Sequence, residues 1–212
     1  MSFVERDGYR FYFRKGTRQT GIVLFHEIYG LDSYVTSVAD KLSENGFAVV
    51  APDLYGGRKA SSLEEGFKLR KQITNDYLLN ITRKAISIIK YSTKIKSIGT
   101  MGFCMGGGLA LQASSDLSLD FCVDFYGMME DADKIMGLNG PVLLILASQD
   151  ERVNPWVFQK LLLSASKYQK RVELHIYPNT VHAFHRPGWE GHNKEAAEDA
   201  WKRALSFLKL FE

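Results

Sequence analysis

Short apolar runs alternate with amphipathic stretches along this chain, and that alternation limits the fold more than any other feature of the sequence. Val142 to Ala147 is a continuous apolar run bounded by Gly140-Pro141 and Asp150, the pattern of a strand buried on both faces. Tyr9 to Phe13, Gly21 to Phe25, Lys96 to Met101, Phe121 to Phe125 and Val172 to Tyr177 read as further strands, and Phe47 to Ala51 as one closed by Pro52. Between them lie helical patterns. One starts at Asp32 as N-cap, carries Val35, Val38, Ala39 and Leu42 on one face and ends at Asn45-Gly46. A second region runs from Ser61 towards Tyr91, with Leu78, Ile81, Ala85, Ile88 and Ile89 at helical spacing. A third begins at Asn154-Pro155, with Asn as cap and Pro at the first position, and the last buries Ala197, Ala200, Trp201, Ala204 and Leu208. The expectation is an α/β fold: one domain over residues 1–212, with a mostly parallel central sheet and helices on both faces. In such folds the functional groups sit beyond the carboxyl ends of the strands.

Composition removes several function classes. A net charge of +3, with no basic run or aromatic-interleaved stripe, gives no footprint for nucleic acid. No apolar run approaches membrane-spanning length, and Met1 to Asp7 has no apolar signal region. Two cysteines, Cys104 and Cys122, make neither a disulfide framework nor a zinc motif, so the expected setting is a reducing cytoplasm where a thiol stays available. His185 and His192 follow no metal-ligand spacing with cysteine or carboxylates, so no metal site is expected. No long apolar stripe demands a partner, and a monomer is expected.

Gly102-Phe103-Cys104-Met105-Gly106 joins the strand ending at Met101 to a helix that starts at Gly107. Glycines on both sides of the cysteine suit a sharp strand-to-helix turn, which lifts the thiol above the sheet at the positive end of the helix. Asp150 follows the Val142 strand, and His182 follows the Val172 strand. Nucleophile, acid, histidine is the chain order of α/β-hydrolases. His182 would accept the thiol proton, and Asp150 would hold the imidazole in the required tautomer. His26-Glu27-Ile28-Tyr29-Gly30 follows the Gly21 strand, where such folds supply an oxyanion-hole amide; the N–H groups of Ile28 and Met105 are the candidates. Each residue alone has a bland reading as a turn former, loop residue or buried thiol. It is their joint occurrence in order that points to catalysis.

Together, Glu27 in His-Glu-Ile-Tyr-Gly, Ala51-Pro52-Asp53-Leu54-Tyr55, the Cys104 elbow, Asp124-Phe125-Tyr126-Gly127 and His182-Ala183-Phe184-His185-Arg186 resemble the dienelactone hydrolase family. The resemblance implies a cysteine-dependent hydrolase of carboxylic esters or lactones, of the carboxymethylenebutenolidase type, acting without metal or cofactor. It implies Cys104, His182 and Asp150 as a triad working through an acyl-enzyme. It also implies Glu27 as a carboxylate that pairs with the resting thiol, and Arg186 and Tyr126 as substrate-binding residues, with Arg186 taking a substrate carboxylate. One departure stands out. Where well-studied members carry a second carboxylate-binding arginine this chain has Leu63, with Phe67 one turn later and Arg70 one turn beyond that; Arg58 and Lys59 are looser candidates.

Two other classes compete. A non-catalytic relative that binds a ligand or partner would keep the fold and usually lose a triad member; none is missing here. A serine-type esterase would need another Gly-x-Ser-x-Gly, and the sequence has none.

Overall fold

The computed structural model describes residues 2–92, 94–127, 131–153 and 155–211. Its strands are β1 (Ser2–Arg6), β2 (Tyr9–Arg14), β3 (Thr20–Phe25), β4 (Ala48–Pro52), β5 (Ser97–Phe103), β6 (Cys122–Phe125), β7 (Val142–Ala147) and β8 (Val172–Tyr177). Its helices are α1 (Ser33–Glu44), α2 (Leu63–Arg70), α3 (Asn75–Ser92), α4 (Met105–Asp116), α5 (Pro155–Lys167) and α6 (Lys194–Leu208). Among the described residues the strands form one sheet in the order β1-β2-β4-β3-β5-β6-β7-β8. β1 and β2 are antiparallel, and β2 runs antiparallel to β4; every pairing from β4 to β8 is parallel. The chain crosses from β3 to β4 on one side and then returns to lay β5 on the other side of β3. Strand order reverses there, so the segments after β3 and β5 open into a common crevice.

Side chains that alternate along each strand serve two cores. Val23, Phe25, Val50 and Leu144 pack with Leu78, Ile81, Ala85, Leu109 and Leu161 of α3, α4 and α5. Ile22, Leu24, Val49, Phe103 and Ile145 pack with Val35, Val38, Leu42, Ala200, Ala204 and Phe207 of α1 and α6. Each face of the sheet is therefore covered by helices.

Two details differ from the sequence expectation. β1 is an additional strand, five residues that pair in full with β2 but are too short to carry a clear period. The helical region from Ser61 to Tyr91 is two helices. α2 closes with turns onto Phe67, Leu69 and Arg70, and Thr74 then caps α3: its hydroxyl accepts from Tyr77 N at 3.2 Å and its carbonyl from Leu78 N at 3.0 Å. Asp32 caps α1 as expected, its Oδ1 accepting from Val35 N at 3.2 Å. Pro155 opens α5, whereas the Asn154 cap lies outside the described residues.

α4 sits close over the sheet because glycine permits it. A Cβ at Gly106 would strike the carbonyl oxygens of Phe25 and His26, the latter at 2.6 Å. A Cβ at Gly102 would strike the Gly106 carbonyl. The Gly106→Ala variant is expected to lose about 1–3 kcal/mol of stability, because the obstacle is backbone that cannot yield cheaply. In urea titration this should appear as a lower midpoint at an unchanged slope; a wild-type midpoint would mean the helix is not held as tightly as its glycines imply.

Candidate active site

Cys104 is the pivot between β5 and α4, with φ 53° and ψ −123°. Non-glycine residues rarely adopt positive φ, and holding one there costs about 1–3 kcal/mol. The conformation is fixed from both sides: Cys104 N donates to the Phe125 carbonyl at 3.0 Å, and Gly107 N donates to the Cys104 carbonyl at 3.0 Å. Tyr126 (φ 43°) and Ala183 (φ 62°) are also in the left-handed region. Asp7, Ser118, Gln169 and Asn179 adopt the same region elsewhere among the described residues, so the site shares this backbone conformation with ordinary turns but applies it to the candidate nucleophile itself. Asp124 makes the Tyr126 turn, its Oδ1 accepting from Gly127 N at 2.7 Å. Burial pushes that carboxyl up to about 7.

His182 and Asp150 meet because the segments after β7 and β8 are laced together. Ser148 N donates to the Tyr177 carbonyl at 3.1 Å, and Gln149 N to the Thr180 carbonyl at 2.9 Å. His182 Nδ1 then lies 2.8 Å from Asp150 Oδ2. The other carboxylate oxygen, Oδ1, accepts from Arg152 N at 2.9 Å and Val153 N at 3.2 Å. Since Asp150 can only accept, the imidazole proton is on Nδ1 and Nε2 faces away from it. That Nε2 is buried without a hydrogen-bond partner, and Cys104 is close enough to act on the ring. Burial opposes protonation of His182, but the hydrogen bond to Asp150 and the influence of Cys104 outweigh it and push the imidazole up to about 9.

Glu27 and Ile28 follow β3, and His26 holds their segment in place. His26 is fully buried; Leu54 N donates to its Nε2 at 3.2 Å, so Nδ1 carries the proton and donates to the Glu27 carbonyl at 2.7 Å. Burial depresses the His26 imidazole, which keeps it neutral. Tyr55 braces the segment from the other side. Its hydroxyl lies 3.2 Å from the Ile28 carbonyl, 3.4 Å from the Gly66 carbonyl and 3.3 Å from Met105 Sδ. One hydroxyl therefore touches both residues whose amides are the oxyanion candidates. The Asp53 carboxylate, accepting from Tyr55 N and Gly57 N, turns the chain so that Tyr55 points inward. Sequence alone gave Tyr55 no role, since its motif position says nothing about what its hydroxyl reaches.

Arg186 and Glu27 sit differently from their expected parts. Arg186 Nη1 pairs with Glu27 Oε2, and Nη2 lies 2.5 Å from Asp32 Oδ2. The guanidinium also lies 4.9 Å from the Tyr34 ring centroid and 5.8 Å from that of Tyr29. Glu27 is thus paired with an arginine, while its Oε1 is buried without a partner. Burial pushes the Glu27 carboxyl up, and Arg186 offsets only part of that shift. Arg186 would have to break two ion pairs before binding a substrate carboxylate.

Two cavities meet at Cys104. The larger, about 770 Å³, is lined by Leu63, Phe67, Leu109 and Leu111 and bears Arg70, Lys71, Lys134 and Arg152. The smaller, about 20 Å³, is bounded by Glu27, Tyr29, Arg186 and Trp189. Both share Ile28, Cys104, Arg152 and His182. Arg70 reaches the large cavity as expected, with Nη1 donating to the Ile73 carbonyl at 3.2 Å. Arg58 is turned onto Tyr55 and Gln72, and Lys59 lines neither cavity.

Tyr126 corrects the expectation of a substrate contact. It is fully buried and lines neither cavity; its ring packs edge-to-face with those of His182 at 5.2 Å and Phe184 at 5.6 Å between centroids. His185 is held by Tyr34, with their polar atoms 2.8 Å apart, and burial drives it down to about 3. Among the described residues no group of three His, Cys, Asp or Glu side chains could hold a metal ion.

A histidine titrating above its unfolded-state value stabilises the fold when protonated. The Asp150 contact should therefore contribute fully below about pH 6.5 and fade as pH rises through about 9. The stability gap between wild type and Asp150→Asn is expected to narrow between pH 6 and pH 10, with the His182 NMR titration moving down in the variant. A gap independent of pH would show that this pairing does not set the imidazole's proton affinity.

The dienelactone hydrolase family pattern matches residues 7–211. A Saccharolobus solfataricus protein named "Putative carboxymethylenebutenolidase" is 31% identical over 228 residues, covering 89% of this chain and 88% of the relative. The carboxymethylenebutenolidase of Pseudomonas putida is 25% identical over 199 residues, covering 88% and 84%. Among solved structures, a dienelactone hydrolase-like promiscuous phosphotriesterase from metagenomic libraries superposes with a TM-score of 0.82 at 21% identity, covering 96% of this chain and 92% of that one. With the match spanning nearly every element that builds the crevice, this chain belongs to the dienelactone hydrolase family, within the α/β-hydrolase superfamily.

Proposed function

We propose that this hydrolase of ester or lactone bonds works through a thiol nucleophile, with Cys104, His182 and Asp150 as its triad. The observation that carries the reading is His182: bonded to Asp150 at 2.8 Å, with its free Nε2 on the Cys104 side of a cavity large enough for a small-molecule ester or lactone. A raised imidazole affinity favours transfer of the thiol proton to Nε2, leaving a thiolate beside an imidazolium.

The thiolate sulfur attacks the carbonyl carbon, and the carbonyl oxygen takes the negative charge. The amides of Ile28 and Met105 donate to that oxygen. Collapse of the tetrahedral intermediate breaks the bond to the leaving oxygen, which takes the proton from His182, and a thioester remains on Cys104. Water then gives a proton to His182 and adds to the thioester, releasing the acid and regenerating the thiol. Glu27 is the second acceptor for the thiol proton, since burial raises its affinity for one and its Oε1 is unpartnered. Arg70 supplies a cation on the cavity wall. Both cysteines are free, which suits a reducing compartment such as the cytoplasm, and among the described residues no helix is long and apolar enough to cross a membrane.

With 4-nitrophenyl acetate as substrate, Cys104→Ala is expected to lose at least about 10³-fold in kcat while keeping its fold. Iodoacetamide should inactivate the wild type in step with the alkylation of one thiol. Full activity after alkylation would overturn the thiol mechanism. Tyr55→Phe removes only the hydroxyl that braces Ile28 and Met105, a contact of about 0.5–1.5 kcal/mol. It is expected to lower kcat about 2- to 10-fold at near-constant KM; a change confined to KM would place Tyr55 outside oxyanion support.

A further inference from the structure

Four cations and one carboxylate, Asp131, are the fixed charges on the wall of the large cavity, which is otherwise mostly apolar. The four differ in what already holds them. Lys134 Nζ is paired with Asp116 at 2.7 Å, and Arg70 is bonded to the chain at Ile73. Among the described residues no hydrogen bond or ion pair is made by the side chain of Lys71 or of Arg152. Only Arg152 of these four also borders the small cavity, so it stands at the seam with Ile28, Cys104 and His182.

Its backbone is anchored there. Arg152 N donates to Asp150 Oδ1 at 2.9 Å, and Asp150 Oδ2 holds His182, so the root of the side chain is tied to the proposed triad through a single carboxylate. Arg186, by contrast, is neutralised by Glu27 and Asp32 and borders only the small cavity. A planar guanidinium with no prior partner suits a carboxylate held by two parallel hydrogen bonds. The large cavity, about 770 Å³ and walled by Leu63, Phe67 and Leu109, has room for a body much bigger than a five-membered lactone.

We propose that Arg152 is the residue that takes the carboxylate of an anionic substrate, and that the preferred substrates join a bulky apolar body to an anionic group near the scissile carbonyl. This rests on the reading of Cys104 as nucleophile, because the seam matters only if the reacting carbonyl lies against that sulfur. Leu63 and Phe67 then have a use in place of a second arginine: they accept the apolar body, while Arg152 approaches from the segment after β7.

The test compares two esters of equal shape: the mono-4-nitrophenyl ester of 5-phenylisophthalic acid, and the same ester with its free carboxylate converted to a carboxamide. Wild type is expected to favour the carboxylate in kcat/KM, and that preference should shrink at 1 M NaCl. Arg152→Gln should cut the carboxylate-to-carboxamide ratio about 10- to 100-fold, mainly through KM, with Arg152→Lys recovering part of it. A wild-type ratio near one, or a ratio that Arg152→Gln leaves intact, would overturn the assignment of Arg152 while the thiol mechanism stood. Equal turnover of the carboxamide ester before and after alkylation of Cys104 would overturn the thiol mechanism, and the Arg152 proposal with it.

Discussion

The close approach of α4 to the ends of β3 and β5 is the constraint on which the site depends. Gly102 and Gly106 let helix and strand backbones come within a distance no side chain would tolerate. The residue between them is thereby forced through a conformation that L-residues avoid, and the same contact brings the segment after β3 beside the first turn of the helix. Thiol, oxyanion candidates and Glu27 are therefore gathered by one packing decision. The histidine and its acid are gathered by another, the lacing between the segments after β7 and β8.

Electrostatics divide the site into a closed half and an open half. Around the small cavity, Glu27, Arg186 and Asp32 satisfy one another, with aromatic rings of Tyr29 and Tyr34 near the guanidinium. Around the large cavity positive charge is in excess. His182 belongs to both and is the group whose proton affinity responds to each neighbour, Asp150 through a hydrogen bond and Cys104 through its thiol. Two further histidines, His26 and His185, are kept neutral by burial and serve as polar struts within the scaffold.

Much of this was legible in the sequence, for reasons that differ by residue. β7 announces itself because a strand covered on both faces must be apolar throughout, and Val142 to Ala147 is. The elbow is legible because its glycine-flanked cysteine stands between strand and helix in a chain that supplies an acid and then a histidine after later strands. Asp150 and His182 could be placed at strand ends, but their pairing depends on hydrogen bonds between loops that no periodicity encodes. Arg186 carried a charge to be accounted for; only the fold reveals that Asp32, already the cap of α1, is one of its two partners. Arg152 and Tyr55 carry no sequence signal of their roles: a surface arginine in a turn looks ordinary without the cavities it borders, and a tyrosine after a strand without the contacts of its hydroxyl. β1 left too short a pattern to read.

The second cysteine gives the last consequence. Cys122 is fully buried within β6, and burial pushes its thiol far above the ordinary range, so it cannot approach or attack another sulfur while the fold persists. A sulfenic acid formed on Cys104 by peroxide would thus find no resolving partner within its own chain. Recovery from oxidation would depend wholly on small thiols able to diffuse into the crevice, and a peroxide burst that outran their supply would carry the sulfur on to irreversible states.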